Sequence, residues 1–348
     1  MKKNKILMLL ALGLCLFSLM GCQSKEEVIE SEILEEKTEE VLAEETDEVM
    51  EETEEVFIDP NEDKDLVNIG VMKGPTGIGA LGLTEEVEKN YNYDLVVKTA
   101  PDELVALLSQ GEIDLAIIPS NLASILYNTG KVDIKALASN NLGVLYVIER
   151  GDGVNSLEDL EGKEILSPGK GTTPEMVVTS LFEEKGLSQD GLSFTKDAEE
   201  VVQSLVAGKV DIAVLPEPLA TSALAKDESL RRALDLNEAW EDAFETSQIT
   251  SVLVGTKEAV ESLDGEKLVE DFTGSIDRVL ASPETTGELS EEFDLFPKAI
   301  AIKALDKLNL KAMSGKDLED HMNSYLKVLY NKNPESIGGS LPGDDFYW

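Results

Sequence analysis

From Leu66 onward the chain alternates short apolar runs with longer segments whose apolar residues recur at helical spacing. Val67-Asn-Ile-Gly-Val-Met72 carries β-branched residues at alternate positions, which predicts a strand. Lys73-Gly-Pro-Thr-Gly77 breaks it, and a helix is expected from about Ile78 to Asn90. Leu95–Lys98 predicts a second strand, and Pro101 opens a helix through Leu108 with Asp102 as its cap. Ile113–Ile118 is an apolar run apart from Asp114, the pattern of a strand buried on both faces. A helix from Asn121 to about Tyr127 and a strand at Val144–Ile148 follow. Beyond the turn-rich Ser156–Lys163, strands are expected at Glu164–Leu166, Leu192–Thr195 and Val210–Leu215, and helices at Glu175–Lys185 and Ala198–Val206. Thr250–Val254 reads as a returning strand. The last third is helical: Lys267–Leu280, then a helix opened by Ser314-Gly-Lys-Asp317 in the manner of a capping box. Leu318, Met322, Tyr325, Leu326 and Leu329 lie on one face of that helix and read as core. The tail Gly338–Trp348 ends in aromatics expected to dock on the folded body. Strands alternating with helices give an α/β fold with mostly parallel sheets flanked by helices.

One stretch occurs twice. Gly111-Glu-Ile-Asp-Leu-Ala-Ile-Ile-Pro-Ser-Asn121 is matched, 97 residues later, by Gly208-Lys-Val-Asp-Ile-Ala-Val-Leu-Pro-Glu-Pro218. At the same offset Gly74 and Thr76 fall on Gly171 and Thr173. Two copies imply two similar lobes, each with its own core, rather than a solenoid. In open α/β sheets ligands sit beyond the carboxyl ends of the strands. Gly111 and Asp114, with Gly208 and Asp211, precede their strands and are structural. Lys73, Gly74, Thr76, Gly77, Ser120, Asn121, Gly171, Thr172, Thr173 and Glu217 follow strands and are candidate ligand contacts, with Tyr146 beside them. Backbone N–H groups at the helix starts favour an anion or a carbonyl there. Gly74 and Gly77 serve equally well as tight-turn residues, and Tyr146 as core. Glu217, whose repeat partner is the neutral Ser120, either binds an amine or amidine-like edge or makes a polar contact between lobes.

The first residues change the picture of where the protein works. Met1-Lys-Lys-Asn-Lys5 precedes an apolar stretch, Ile6–Met20, which is shorter than the about 20 residues of a membrane span. It ends in Leu19-Met20-Gly21-Cys22, similar to a bacterial lipobox, so residues 1–21 are expected to be a lipoprotein signal and Cys22 the lipidated residue. The other cysteine, Cys15, lies in the removed segment, which leaves no disulfide. Ser24–Asp65 holds 20 Asp or Glu against 3 Lys, a net charge of −17, and reads with Cys22 as an acidic tether spanning 22–65. Asp59–Asp65 lacks the Gly and Glu that an EF-hand loop requires at its sixth and twelfth places, so no calcium loop is assigned. From Leu66 the balance is 24 basic to 50 acidic residues, −26, with no basic stripe, which excludes nucleic acid as a partner.

The strand-exit loops carry a resemblance. Lys73-Gly-Pro-Thr-Gly77, Gly111–Pro119, Ser156-Leu-Glu-Asp-Leu-Glu-Gly-Lys163, Gly171-Thr-Thr-Pro174 and Val214-Leu-Pro-Glu-Pro218 resemble the solute-binding lipoproteins of ABC importers, in the group similar to nitrate, sulfonate and thiamine-pyrimidine binding proteins. The tail Gly338–Tyr347 is similar to a subset of them. The resemblance spans nearly all of 66–348 and implies a two-lobed type II periplasmic-binding fold. One lobe would comprise 66–149 plus 251–348 and the other 150–250, with crossings near Arg150 and Thr250 and the ligand between them. It implies a monomer, lipid-anchored on the extracytoplasmic face of the cell membrane, that delivers a small molecule to a permease and its ATPase, without a cofactor. The absence of Arg from the loops shifts the expected ligand toward a neutral or weakly charged heterocycle, with small organic anions still open.

Two other functions compete: an enzyme on the same fold, acting on pyrimidine or menaquinone precursors, and a surface lipoprotein without a transport role. The catalytic inventory is thin. No cysteine remains as a free thiol nucleophile. His321, the single histidine, stands on the last helix and reads as a core-edge residue. No HExxH or Cys/His spacing points to a metal. Gly169-Lys-Gly-Thr172 lacks the earlier glycine of a phosphate-binding loop.

Overall fold

The computed structural model describes residues 63–348; the expected signal segment, Cys22 and nearly all of the acidic tether lie outside the described residues. The chain runs β1 (Leu66–Met72), α1 (Pro75–Ile78), β2 (Asn92–Lys98), α2 (Pro101–Gln110), β3 (Leu115–Pro119), α3 (Ser120–Thr129), β4 (Ile134–Asn141) and β5 (Leu145–Arg150). It continues with β6 (Ile165–Ser167), α4 (Thr173–Glu184), β7 (Leu192–Phe194), α5 (Ala198–Val206), β8 (Ile212–Pro216), α6 (Leu219–Lys226), β9 (Leu230–Asp235) and α7 (Leu236–Phe244). The last part is β10 (Ser251–Thr256), α8 (Lys257–Leu263), α9 (Gly265–Ala281), α10 (Pro283–Glu292), α11 (Lys298–Ala304) and α12 (Gly315–Lys332).

The strands form two five-stranded sheets, ordered β2-β1-β3-β10-β4 and β7-β6-β8-β5-β9. In each, the first three strands are parallel and the fourth runs antiparallel to both neighbours, so each is a mixed sheet in which four of the five strands run the same way, as expected. The fourth strand of each sheet, β10 or β5, comes from outside the repeat unit. The remaining elements follow the sequence repeat: β3 and β8 start and end 97 residues apart, and α2/α5, α3/α6 and β4/β9 correspond to within a few residues. Gly111 and Gly208 close equivalent helices at φ +69° and +66°, a left-handed conformation that favours glycine. Asp114 sits just before β3 and accepts the Asn68 N–H at 2.8 Å, which ties the amino end of β3 to β1.

β5 already belongs to the second sheet, so the chain first passes between sheets at 142–144, ahead of Arg150. It returns just before β10. A third segment braces the first of these crossings. Leu142 donates its N–H to Asn309 O at 2.9 Å, the Asn309 amide donates to Gly143 O at 2.5 Å, and the Tyr146 hydroxyl donates to Lys307 O at 3.0 Å.

The expected helix over Ile78–Asn90 does not form. α1 stops at Ile78 and a 3-10 turn at Leu81–Leu83 follows. Gly79 and Gly82 explain it: a Cβ on Gly79 would lie 2.1 Å from Asn140 Oδ1, and one on Gly82 would lie 2.5 Å from Ser275 O. This segment is folded by close approach to β4 and α9, not by helical propensity. α2 is capped at Ala100 rather than Asp102, with the Glu103 carboxylate accepting the Ala100 N–H at 3.1 Å. Ser314 occupies the N-cap of α12 without a side-chain cap bond. The predicted core face of α12 is fully buried, and the tail docks through Phe346 and through Tyr347, whose hydroxyl donates to Asn323 Oδ1 at 2.8 Å. Besides one core cluster confined to each half, the two halves share a third. One apolar cluster contains Val252 and Tyr325 from the first half and Val147 and Trp240 from the second, with the Trp240 and Tyr325 ring centroids 5.5 Å apart.

Candidate functional site

A cavity of about 410 Å³ opens between the two sheets at the carboxyl ends of their strands. The first sheet contributes Met72 and Pro119 from the ends of β1 and β3, Pro75 and Thr76 from α1, and Thr250 and Ser251 at β10. The second contributes Pro216 from β8, Leu145 at the start of β5, and Gly171–Pro174 at the start of α4. The starts of α2, α3 and α4 all reach this space, through Pro101 and Asp102, Asn121 and Leu122, and Thr173 and Pro174. First-turn N–H groups have no partner within their own helix, so three helix starts present hydrogen-bond donors to one volume. The wall between them is apolar: Met72, Leu122, Ile125, Val144, Leu145 and several prolines.

Six of the sequence candidates meet there: Lys73, Thr76, Asn121, Gly171, Thr172 and Thr173. Lys73 Nζ lies 2.9 Å from Asp294 Oδ2, and the Thr76 hydroxyl donates to Met72 O at 2.9 Å. Asn121 spans the two halves. Its Oδ1 accepts from the Thr173 hydroxyl at 3.3 Å and its Nδ2 donates to Ser336 O at 3.2 Å. Gly171, at φ +80° with open space where a Cβ would project, lets the chain turn into α4.

Five candidates do not line the cavity. Gly74 makes the turn before α1 at φ +138°, and a Cβ on Gly77 would meet Leu295 at 2.9 Å, so both serve the backbone path. The Ser120 hydroxyl is buried and donates to Ile249 O, while its N–H donates to Thr250 O at 3.1 Å. Tyr146 is buried beneath the Arg232 guanidinium, 4.7 Å from its ring centroid. Glu217 follows β8 as expected, but its side chain is 0% exposed and turned inward. Its carboxylate pairs with Arg232 and accepts the Thr221 N–H at 3.0 Å and the Thr221 hydroxyl at 3.1 Å. Burial pushes the Glu217 carboxyl upward, and the Arg232 charge and the Thr221 bonds oppose that shift. Burial likewise raises the Tyr146 phenol above its usual range.

Sequence reasoning missed Asp102, Leu122, Ile125 and Gln248 as lining residues. Leu122 and Ile125 stand three apart on α3 and look like core; the available signal was their place in the first turns of a helix that starts at a strand exit. A larger groove, about 630 Å³, adjoins the cavity and shares Asn121, Ile125 and Gly171 with it. It lies between α4 and α12, and Lys332 and Glu183 pair across it at 2.7 Å. His321 borders a separate surface pocket with Glu241, Glu245 and Asp320. Among the described residues no group of side chains could hold a metal ion, and no helix is long and apolar enough to cross a membrane.

Comparison with known proteins agrees with this geometry. Residues 80–274 match the family described as ABC transporter, phosphonate, periplasmic substrate-binding protein. No curated protein matches the chain. Among solved structures, an ABC transporter protein from Parabacteroides distasonis superposes with a TM-score of 0.72 at 26% identity, covering 81% of this chain and 98% of that one. The periplasmic aliphatic sulphonate-binding protein SsuA of Escherichia coli gives 0.64 at 15% identity, with 82% and 92% covered. The nitrate-binding protein NrtA of Synechocystis gives 0.54 at 11% identity, with 78% and 82% covered. These superpositions share the two-sheet fold. With more than half of its residues matched by the family, the chain belongs to the periplasmic substrate-binding proteins of phosphonate-type ABC transporters.

Proposed function

We propose that the protein closes two lobes around one small organic solute and hands it to a permease and its ATPase while held to the outer face of the membrane by lipid on Cys22. The observation that carries this reading is the 410 Å³ cavity walled from both sheets, a volume in the range of small-molecule sites. The lobes would be 66–141 with 251–348, and 145–250, rotating about the two crossings as a hinge and acting as a monomer. Lys73, Thr76, Asn121, Gly171, Thr172 and Thr173 are the proposed solute contacts. Gly74, Gly77, Ser120, Tyr146 and Glu217 become supports of the site rather than contacts. Apolar walls with a few polar groups suit a solute with an apolar body, held in orientation by hydrogen bonds.

Native mass spectrometry of the full chain exposed to a deproteinised bacterial cell extract tests the capture. One small-molecule adduct is expected, lost in Leu122→Trp, whose indole would occupy the cavity, while that variant keeps its circular dichroism spectrum. Absence of any adduct contradicts the reading. The anchor is tested by feeding cells a palmitate analogue: labelling should vanish in Cys22→Ala, and persistent labelling would remove Cys22 from the account.

A further inference from the structure

Gln248 is a buried side chain of the cavity wall whose hydrogen bonding the protein leaves unfinished. It stands in the connection that returns the chain from α7 to β10, it is 1% exposed, and it lines the cavity. Its Nε2 donates to Leu236 O at 3.0 Å, at the start of α7, which fixes which end of the carboxamide is the oxygen. That oxygen, Oε1, accepts a hydrogen bond from no described residue. A buried carbonyl oxygen in this state is rare and costly. Nor is it sealed in. The side-chain atoms that are both enclosed and unpartnered, Asn141 Nδ2 and the Tyr325 hydroxyl among them, belong to residues outside the lining, and Gln248 Oε1 is not one of them. It therefore opens onto the cavity.

Other acceptors nearby are committed. Asn121 Oδ1 takes the Thr173 hydroxyl at 3.3 Å, and Ser251 Oγ takes the Asn140 amide at 3.1 Å while donating to Asn141 Oδ1. Thr250, two residues beyond Gln248, also lines the cavity, and its hydroxyl bonds no described group. The unpartnered first-turn N–H groups of Asn121, Leu122 and Thr173 donate into the same volume. Gln248 supplies their complement, an acceptor.

We infer that Gln248 selects the solute: its Oε1 accepts from an uncharged O–H or N–H group on the part of the solute that lies against the crossing into β10, with the Thr250 hydroxyl beside it. This rests on the capture reading above. The donor is uncharged because neither side chain carries a charge, and an ammonium buried against them would lose its hydration without a counter-charge. A hydroxyl or an amide N–H completes the carboxamide instead. A solute lacking that group leaves Oε1 unpaired, and a site with an unpaired buried polar group discriminates strongly.

The test loads the full chain from a deproteinised bacterial cell extract, washes it and denatures it to release what it holds. Mass spectrometry in deuterated solvent counts the exchangeable hydrogens of the released species. At least one O–H or N–H beyond those of any acid or ammonium group is expected. The released species, and the same species methylated at that group, are then titrated calorimetrically into emptied, refolded chain. The parent should bind the methylated form at least about tenfold more weakly. Gln248→Met keeps the side-chain length and removes the acceptor, so it should bind the two forms about equally. Gln248→Glu keeps an acceptor oxygen and should retain the preference. A simple structural role through Leu236 O would instead weaken both forms alike. A released species without such a hydrogen, equal affinity of the parent for both forms, an unchanged ratio in Gln248→Met or a lost one in Gln248→Glu each overturns the assignment. If Gln248→Met does not refold, the parent ratio and Gln248→Glu still decide. A chain that retains nothing contradicts the capture reading itself, and the role of Gln248 falls with it.

Discussion

Glu217 shows how far a residue's position and its role can separate. The repeat places it at the exit of β8, where a carboxylate facing the cavity was a fair expectation. Arg232 decides otherwise. It lies on β9, a strand whose sequence Leu-Arg-Arg-Ala-Leu-Asp has neither alternation nor an apolar run, so neither strand nor partner was legible. Removing one side of such a buried pair strands the other charge. Glu217→Ala is therefore expected to lose about 3–5 kcal/mol in denaturant unfolding, and a loss below about 1 kcal/mol would show that the pair is not structural. Asp227 makes a second residue-scale prediction. Bonds from Ser229 and Arg150 hold its carboxyl down to about 2, below the about 3.9 of an unfolded chain. A depressed folded value means stability that is present above about pH 4 and lost as pH falls through about 2. Asp227→Asn should melt below the parent from pH 4 upward, with the gap closing toward pH 2; a gap independent of pH would refute the linkage. By contrast Thr76 and Gly171–Thr173 were legible, because a Gly- and Thr-containing loop after a strand has few other uses.

At the scale of elements, legibility followed burial pattern. Continuous apolar strands such as β3 and β8 were found, and so was amphipathic α12. β4 was missed because its second half, Ser139-Asn140-Asn141, is polar yet fully buried. The Asn140 amide donates to Asn141 and to Ser251, and the Ser139 hydroxyl bonds the backbone of Lys311 and Met313, an environment that local hydropathy cannot signal. The segment after α1 was misread for a related reason, since Gly79 and Gly82 are set by what they touch far along the chain. The brace at Asn309 offers a clean test of the crossing. Asn309 has φ +47°, so Asn309→Gly keeps the backbone and deletes only the amide bond to Gly143 O. A loss of about 1 kcal/mol is expected. Asn309→Ala should lose about a further 1–2 kcal/mol, because Cβ disfavours that conformation. Equal losses in urea unfolding would contradict this account of the brace.

For the molecule as a whole, the sequence repeat forecast the two equivalent sheets, and family membership agrees with the solute-binding role its loops suggested. It did not forecast that the halves share apolar core through Trp240 and Tyr325, because contacts between copies leave no trace within either copy. That shared core predicts one cooperative calorimetric transition rather than two, and two resolved peaks would contradict it. The proposed closure would then be a rotation about the crossings, with the cavity as the part that opens. The central claim is therefore best tested by small-angle X-ray scattering on the full chain, first loaded from cell extract and then stripped by unfolding and refolding. The loaded form should have the smaller radius of gyration, and reloading should restore it. Superimposable scattering curves, with solute retention verified by mass spectrometry, would contradict capture by closure of the two lobes.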